Sequence, residues 1–105
     1  MLKAVFYKQG DAFKGFSVSG HAGYGTEGND IVCASISSAV MLVCNTVTEF
    51  FKAKADVDVR ENEIILKLFD DSVPAQQLLA SFYQHMEFIA EEHSKIKLET
   101  RITGG

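Results

Sequence analysis

The chain has no tryptophan, a single proline, only two cysteines and no excess of basic residues among its 105 amino acids. So few cysteines exclude a small scaffold held together by disulfides. Hydrophobic residues make up 47% and charged residues 23%, which excludes a disordered chain. The length predicts one domain over residues 1–105. A net charge of −4 argues against a nucleic-acid partner and is compatible with a basic protein as partner.

The two cysteines, Cys33 and Cys44, lie in an uncharged stretch that is typical of a helix. Eleven helical residues span about 16 Å, whereas a disulfide needs Cα atoms within about 7 Å. We therefore expect two reduced thiols and a reducing, cytoplasmic compartment. The first residues show no signal-peptide pattern. Serine, asparagine and threonine interrupt the run 31–48, so we expect a buried helix there and no membrane span.

Alternating apolar residues and turn residues predict five strands and two helices in the order ββαββαβ. The expected strands are 2–8, 13–19, 53–60, 63–69 and 95–102. The expected helices are 31–53 and a second one that Ser72 and Pro74 open and His93 ends. Hairpins dominate this order, so we expect a two-layer α+β domain with a mainly antiparallel sheet and both helices on one face.

Two details of this prediction concern apolar faces. The buried face of the first helix is expected to consist of Val32, Ile36, Ala39, Val43, Val47 and Phe50. In the third strand, Ala55, Val57 and Val59 are expected to point inward and Lys54, Asp56 and Asp58 outward. The apolar run 39–44 is more than one sheet face can cover. We therefore expect it to pack also on the second helix or on a second copy of the chain.

A glycine-containing loop is expected between the second strand and the first helix, over residues 20–30. Residues 23–28 match the G-x-G-x-x-G pattern of dinucleotide-binding loops. The context is unsuitable, because the preceding strand belongs to a hairpin and Asn29 and Asp30 separate the glycines from the helix. A carboxylate there would compete with a phosphate for the helix N-terminus. We expect no nucleotide site, and a mobile loop at 22–29.

Cys33 is the residue in this region whose position most clearly favours chemical reactivity. If Asp30 or Asn29 caps the helix, Cys33 lies in the first turn, where the macrodipole and free N–H groups favour a thiolate. His21 ends the preceding strand, and the loop could bring its ring beside the sulfur, which would lower the pKa of the thiol. The alternative is a small buried hydrophobe at Cys33 and an ordinary loop histidine. A zinc site is not expected, because the paired ligand spacing is missing.

The motif Gly20-His21-Ala22, the glycine stretch with Tyr24, and Asp30-Ile31-Val32-Cys33-Ala34 followed by Ser37 resemble the bacterial ribosomal-processing cysteine protease family, Prp. The resemblance implies Cys33 as nucleophile and His21 as general base and acid. It implies supporting roles for Gly20, Asp30, Ala34 and Ser37. The residues that it implies for a substrate loop are Gly23, Tyr24, Gly25 and Gly28.

The resemblance also implies an activity. The family removes a short N-terminal extension from a large-subunit ribosomal protein, number twenty-seven, in the bacterial cytoplasm. It forms homodimers and needs no metal or cofactor. The alternative is a non-catalytic module of the same fold that binds a ribosomal protein or an assembly factor. An exposed Cys33 beside His21 would favour the enzyme, and a buried Cys33 with His21 turned away would favour the module.

Several roles stay open on the residues alone. Asp30 could orient His21 or only cap the helix, and Ser37 could contact the site or bond back to a helix carbonyl. Tyr24 could contact substrate or lie on the surface. Cys44 is expected to be a core thiol without a catalytic role. The remaining candidates are expected to be solvated side chains, namely His85, His93, Lys95, Lys97 and Arg101.

Overall fold

The computed structural model describes residues 2–20 and 27–103, with side chains from residue 32 onward in the second range. The predicted order ββαββαβ is confirmed. The strands are β1 (Leu2–Gln9), β2 (Ala12–Ser19), β3 (Ala55–Arg60), β4 (Glu63–Leu68) and β5 (Ile96–Ile102). The helices are α1 (Glu27–Asn45), which a π-helical turn (Thr46–Phe50) continues, and α2 (Val73–Glu92).

The five described strands form one sheet in the order β3-β4-β2-β1-β5. β5 pairs with β1 in parallel, and the other pairs are antiparallel, as predicted for a mainly antiparallel sheet. Directly opposed residues share a face of the sheet. One such row runs across all five strands and consists of Val59, Ile64, Val18, Ala4 and Leu98. Three members of this row are buried in the core that the helices cover, so the row marks the helix side.

The core between sheet and helices is rich in aromatic rings. Phe6 lies at its centre, with ring centroids 5.0–6.0 Å from those of Phe13, Phe16, Phe82 and Tyr83. The helical period predicts an apolar face on α2 that consists of Ala75, Leu78, Leu79, Phe82, Met86, Ile89 and Ala90. This face is confirmed, because Ala75, Leu79, Phe82 and Met86 are buried and the other three pack against the core. The Gln76 side chain accepts from the Phe13 N–H (2.7 Å) and donates to the Phe13 carbonyl (2.9 Å), which fixes α2 over β2.

A bulge interrupts the pairing of β1 and β2 between Tyr7 and Lys8. On β2 the bulge lies next to Gly15, whose φ is +142°. A Cβ atom at this position would collide with the carbonyl oxygen of Leu66 on the neighbouring strand. Only glycine fits, because β2 and β4 approach closely here and the backbone conformation is one that other residues rarely adopt.

The predicted limits of the first helix are wrong at both ends. α1 begins at Glu27, one turn before the expected start at Ile31, so neither Asn29 nor Asp30 is the N-cap. Gly28, Asn29 and Asp30 therefore belong to the helix and shorten the expected loop, although each is a poor helix former alone. Packing of the apolar face that follows outweighs these local preferences.

At its other end the helix changes its winding. The Phe51 N–H donates to the Thr46 carbonyl at 2.9 Å, which is an i to i−5 bond of a π-helical turn. The wider turn rotates the residues that follow it, so Phe50 leaves the buried face and is 80% exposed. The expectation that Phe50 would be buried is therefore wrong.

The inward orientation predicted for β3 is only partly realised. Lys54, Asp56 and Asp58 are exposed as expected, but Val57 and Val59 are 36% and 61% exposed. β3 is an edge strand of the sheet, and the two helices cover the strands beside it. The valines point to the helix side as predicted, but no helix covers them there, so they are exposed.

By length and composition alone, the stretch Val32–Phe50 could cross a membrane. Ile36, Val40 and Val47 nevertheless lie on one face and are fully buried in the core cluster, whereas Met41, Leu42 and Phe50 are exposed. A core helix of a soluble fold has this pattern. The run that was expected to be a buried helix is thus the central helix of the core.

Candidate active site

Cys33 lies in the second turn of α1, as its seventh residue, and not in the first turn as predicted. Because only the first N–H groups of a helix are free, the Cys33 N–H belongs to the helix ladder and cannot serve as a free donor. The effect of the macrodipole also weakens beyond the first turn. The Cys33 side chain is 9% exposed, at the margin of the core cluster.

One edge of α1 carries the candidate nucleophile and its neighbours. Cys33, Ser37 and Met41 recur every four residues, so they form a row along the helix. The opposite edge, with Ala39 and Val43, lines a groove against α2. The row with the thiol therefore faces away from α2. Ser37 is half-buried, and Ala34 beside the thiol is exposed.

The strand that leads towards His21 has a fixed end. The Gly20 N–H donates to the Asn62 carbonyl at 2.9 Å, which attaches the end of β2 to the turn between β3 and β4. Gly20 has a φ of +80°, in the left-handed region that favours glycine. The glycine that the motif placed before His21 therefore turns the chain out of the sheet.

Several predicted site residues lie outside the described part of the chain. They comprise the general base His21 and the substrate-loop residues Gly23, Tyr24 and Gly25. Asp30 and Gly28 are described by their backbone alone, which is helical in both. The described residues thus place the candidate nucleophile Cys33 together with Ala34, Ser37 and Gly20. The distance between His21 and Cys33 stays a prediction.

Cys44 has a different environment on the same helix. Its side chain is 2% exposed, and burial raises the pKa of its thiol from 9.0 to about 11. The Thr48 hydroxyl donates to the backbone carbonyl of Cys44 at 3.0 Å. The thiol itself lies inside the core. Neither cysteine forms a disulfide. The prediction that Cys44 is a core thiol is confirmed.

The other candidates lie on the surface. His85 is exposed beside the groove between the helices, and the N–H of His93 donates to the Ile89 carbonyl at the end of α2. On β5, Glu99 pairs with Arg101 at 3.2 Å and with Lys3 at 3.5 Å. Within the residues that the structure describes, no group of three His, Cys, Asp or Glu side chains could hold a metal ion.

A groove of about 450 Å³, which no sequence pattern indicated, lies on the side of the sheet without helices. It lies beside the bulge at Gly15 and is lined by Tyr7, Lys14, Ser17, Glu63 and Phe69, among others. The Ser17 hydroxyl donates to the Glu63 carboxylate at 2.8 Å on its wall. Because the sheet separates this groove from Cys33, it is not part of the candidate active site.

Comparison with known proteins decides the family. The model of the cysteine protease Prp family matches residues 1–97. The chain belongs to this family. It is therefore a cysteine protease, and the non-catalytic alternative is set aside. No curated protein matches the chain.

Solved structures share the whole fold. SMU.848 from Streptococcus mutans superposes with a TM-score of 0.89 at 20% identity, over 98% of this chain and 99% of that one. The ribosomal processing protease Prp from S. aureus in complex with a substrate peptide gives 0.84 at 19% identity, over 98% and 100%. The same protease with a covalently linked product peptide gives 0.83 at 22% identity, over 96% and 100%. At these identities the likeness establishes the fold, and the predicted α+β architecture is confirmed.

Proposed function

We propose that this Prp-family chain is a cytoplasmic endopeptidase that removes the N-terminal extension of large-subunit ribosomal protein number twenty-seven through a dyad of His21 and Cys33. The observation that carries the proposal is the family match over residues 1–97, which includes the whole motif 20–37. Two structural features support it. Cys33 lies on the edge of α1 that faces away from α2, and Gly20 turns the chain out of β2 just before His21.

In this mechanism His21 removes the proton of the Cys33 thiol, or holds it as an imidazolium beside a thiolate. The thiolate attacks the carbonyl carbon of the scissile peptide bond and forms a tetrahedral intermediate. His21 then donates the proton to the leaving amine, and the C–N bond breaks to give a thioester. Water, activated by His21, attacks the thioester carbonyl and releases the carboxylate product and the free thiol.

The negative oxygen of the tetrahedral intermediate needs hydrogen-bond donors. Because the Cys33 N–H belongs to the helix ladder, we assign this role to N–H groups at the start of α1, over residues 27–29, whose helical position leaves them without intrahelical partners. Ser37, one turn after Cys33, is a positioning residue for the thiol. We propose that Asp30 orients His21, because Asp30 lies within α1 and is not the helix cap.

We also propose that the loop with Gly23, Tyr24 and Gly25 closes over the bound peptide and that the protein is a homodimer. The dimer rests on apolar side chains that the fold leaves exposed on α1, namely Met41 and Leu42, at 40% and 68%. The remainder of the run 39–44 is covered by the chain itself, with Val40, Val43 and Cys44 buried. Light scattering at micromolar concentration tests the dimer, and a monomeric mass would contradict it.

The proposed activity is tested by incubating the protein with the ribosomal protein that carries its N-terminal extension. Mass spectrometry should show one new product, shorter by the extension. Cys33→Ala serves as the control for a contaminating protease and should leave the precursor intact. An intact precursor with the unchanged protein, or cleavage by the Cys33→Ala variant, would contradict the proposal.

A further inference from the structure

The edge strand β3 carries an apolar strip on its helix side that the helices leave uncovered. Val57 and Val59 are 36% and 61% exposed, and they are opposed by Leu66 and Ile64, which are buried in the core. Directly opposed residues of an antiparallel pair share a face, so both valines point to the helix side. Exposed apolar side chains on an open strand edge favour pairing with another chain.

The backbone of the same two residues forms the open edge of the sheet. The Phe69 N–H donates to the Lys54 carbonyl at 2.8 Å, so Lys54 directs its backbone groups towards β4. Successive residues of a strand direct these groups to opposite sides, and those of Val57 and Val59 therefore point away from β4. β3 is the last strand of the described sheet, and no other described strand pairs with this side.

β3 runs towards the end of the sheet at which α1 begins. The Ala53 N–H donates to the Val47 carbonyl at 3.0 Å, which ties the far end of the helical segment to the start of β3. The bond between Gly20 and Asn62 ties the chain that leads into α1 to the turn after β3. Val59 therefore lies closer than Val57 to the end that carries the thiol.

The helix edge that faces β3 is the one with Cys33. α2 packs on β2 and β5, and α1 contacts α2 through the edge with Ala39 and Val43. α1 consequently lies between α2 and β3, and its other edge, with Cys33, Ser37 and the exposed Met41, is the one on the side of β3.

We infer, building on the proposed function, that β3 is the docking edge for the substrate. An extended segment of the peptide adds to β3 as a further strand, with hydrogen bonds to the backbone groups of Val57 and Val59. Because side chains alternate along a strand, every second residue of that segment points to the helix side, beside the two valines. The site therefore selects apolar side chains at alternate positions, and the added strand directs the scissile bond towards Cys33.

Two variants of β3 test this inference by steady-state cleavage of a synthetic peptide that spans the extension and the cleavage junction. Val57→Glu combined with Val59→Glu places two negative charges on the apolar strip of β3. Val59→Pro removes one outward N–H donor, and an edge strand tolerates proline when that N–H faces solvent. We expect KM to rise about tenfold or more with kcat changed less than about twofold, because binding and not chemistry is weakened. Val73→Glu, at a 66% exposed valine on α2, is the matched control and should leave both constants unchanged.

A second measurement does not depend on the stability of variants. Peptides with a single N-methyl group at each successive position should bind Cys33→Ala protein with a period of two, since only alternate N–H groups of an added strand point to β3. Hydrogen exchange of the same complex should slow at the amides of Val57 and Val59, whereas Val73 should exchange as in the free protein.

The outcomes separate this inference from the proposed function. If the unchanged protein cleaves the peptide and the β3 variants fold but keep its KM, the docking edge is wrong and the protease activity stands. Uniform sensitivity to N-methylation, or unchanged exchange at both valines, would equally overturn it. If the unchanged protein does not cleave, the proposed function fails and the docking edge falls with it.

Discussion

Cys33 and Cys44 lie on one helix and are both enclosed by the same core cluster, but they occupy different chemical environments. Cys44 is surrounded by apolar side chains in the middle of α1, and burial raises the pKa of its thiol to about 11. Cys33 lies near the start of the helix, beside exposed Ala34 and half-buried Ser37, on the edge that faces away from α2. The fold thus buries the neutral thiol of Cys44 inside the core and places the thiol of Cys33 at the margin of the core cluster.

Because both thiols are buried, burial alone does not assign a structural or a catalytic role to either cysteine. A nucleophilic thiol needs a base and access for the substrate, and it can keep both while most of its surface is covered. The difference lies in position along the helix, because the start of α1 adjoins the chain that carries His21. Four predictions test how far the two thiols and their surroundings differ.

Removing each thiol in turn should have opposite consequences for cleavage. We expect Cys33→Ala to lower the rate by at least about 1,000-fold, since the nucleophile is lost, and Cys44→Ala to keep most of the activity. The rates are read by mass spectrometry of the precursor, with thermal unfolding to verify that both variants fold. An active Cys33→Ala variant would refute the assignment of the nucleophile.

Alkylation should separate the thiols without any substrate. At neutral pH we expect iodoacetamide to label Cys33 at least roughly 100-fold faster than Cys44, whose thiol is neutral and buried. Peptide mapping of samples quenched over time gives both rates. His21→Ala should slow the reaction of Cys33 and leave that of Cys44 unchanged. Equal rates at the two thiols would argue that Cys33 is also a core residue.

The raised pKa of Cys44 predicts a pH dependence of stability. The folded state keeps this thiol protonated, so its contribution is complete below pH 9 and is lost as the pH rises towards about 11, where the folded form ionises. An upper bound for the loss is about 3 kcal/mol. Denaturant unfolding at pH 8 and pH 10.5 measures it, with Cys44→Ala as the reference without this thiol. Parallel pH profiles of the two proteins would contradict the prediction.

The smallest effect is expected at Ser37. One hydrogen bond near the thiol contributes about 0.5–1.5 kcal/mol, so Ser37→Ala should lower kcat by about 2- to 10-fold with little change in KM. Ser38→Ala, at the exposed neighbouring serine, is the matched control. A loss of folding stability with unchanged kcat would show that Ser37 serves the helix and not the site.

Sequence patterns were sufficient for the elements and their order. The strands differ from their predicted limits by a few residues at most, and the apolar face of α2 was predicted correctly, because local periodicity depends on which side is buried. The strand order was not predictable, since it arises from contacts between distant segments. The same limitation explains Val57 and Val59, where alternation indicated a buried face but the edge position left it uncovered.

At the candidate site, the motif indicated Cys33 as the candidate nucleophile, but its predicted position in the first turn of the helix was wrong. Glycine, asparagine and aspartate at residues 28–30 are usual signals of a helix start, and tertiary packing overrode them. The π-helical turn at Thr46–Phe50 was equally invisible, because its residues do not differ from those of an ordinary helix. These two departures decide which N–H groups are free near Cys33 and which apolar residues reach the surface.

The most direct test of whether Cys33 is the nucleophile is to trap the attacking thiol with a peptide chloromethyl ketone whose sequence ends at the cleavage junction. The attacking sulfur displaces chloride and forms a stable thioether, and fragmentation of the tryptic peptide shows which cysteine carries it. We expect one adduct, on Cys33, that forms more slowly in His21→Ala and more slowly in the presence of the uncleaved precursor. An adduct on Cys44, or continued cleavage of the precursor after Cys33 is fully modified, would contradict it.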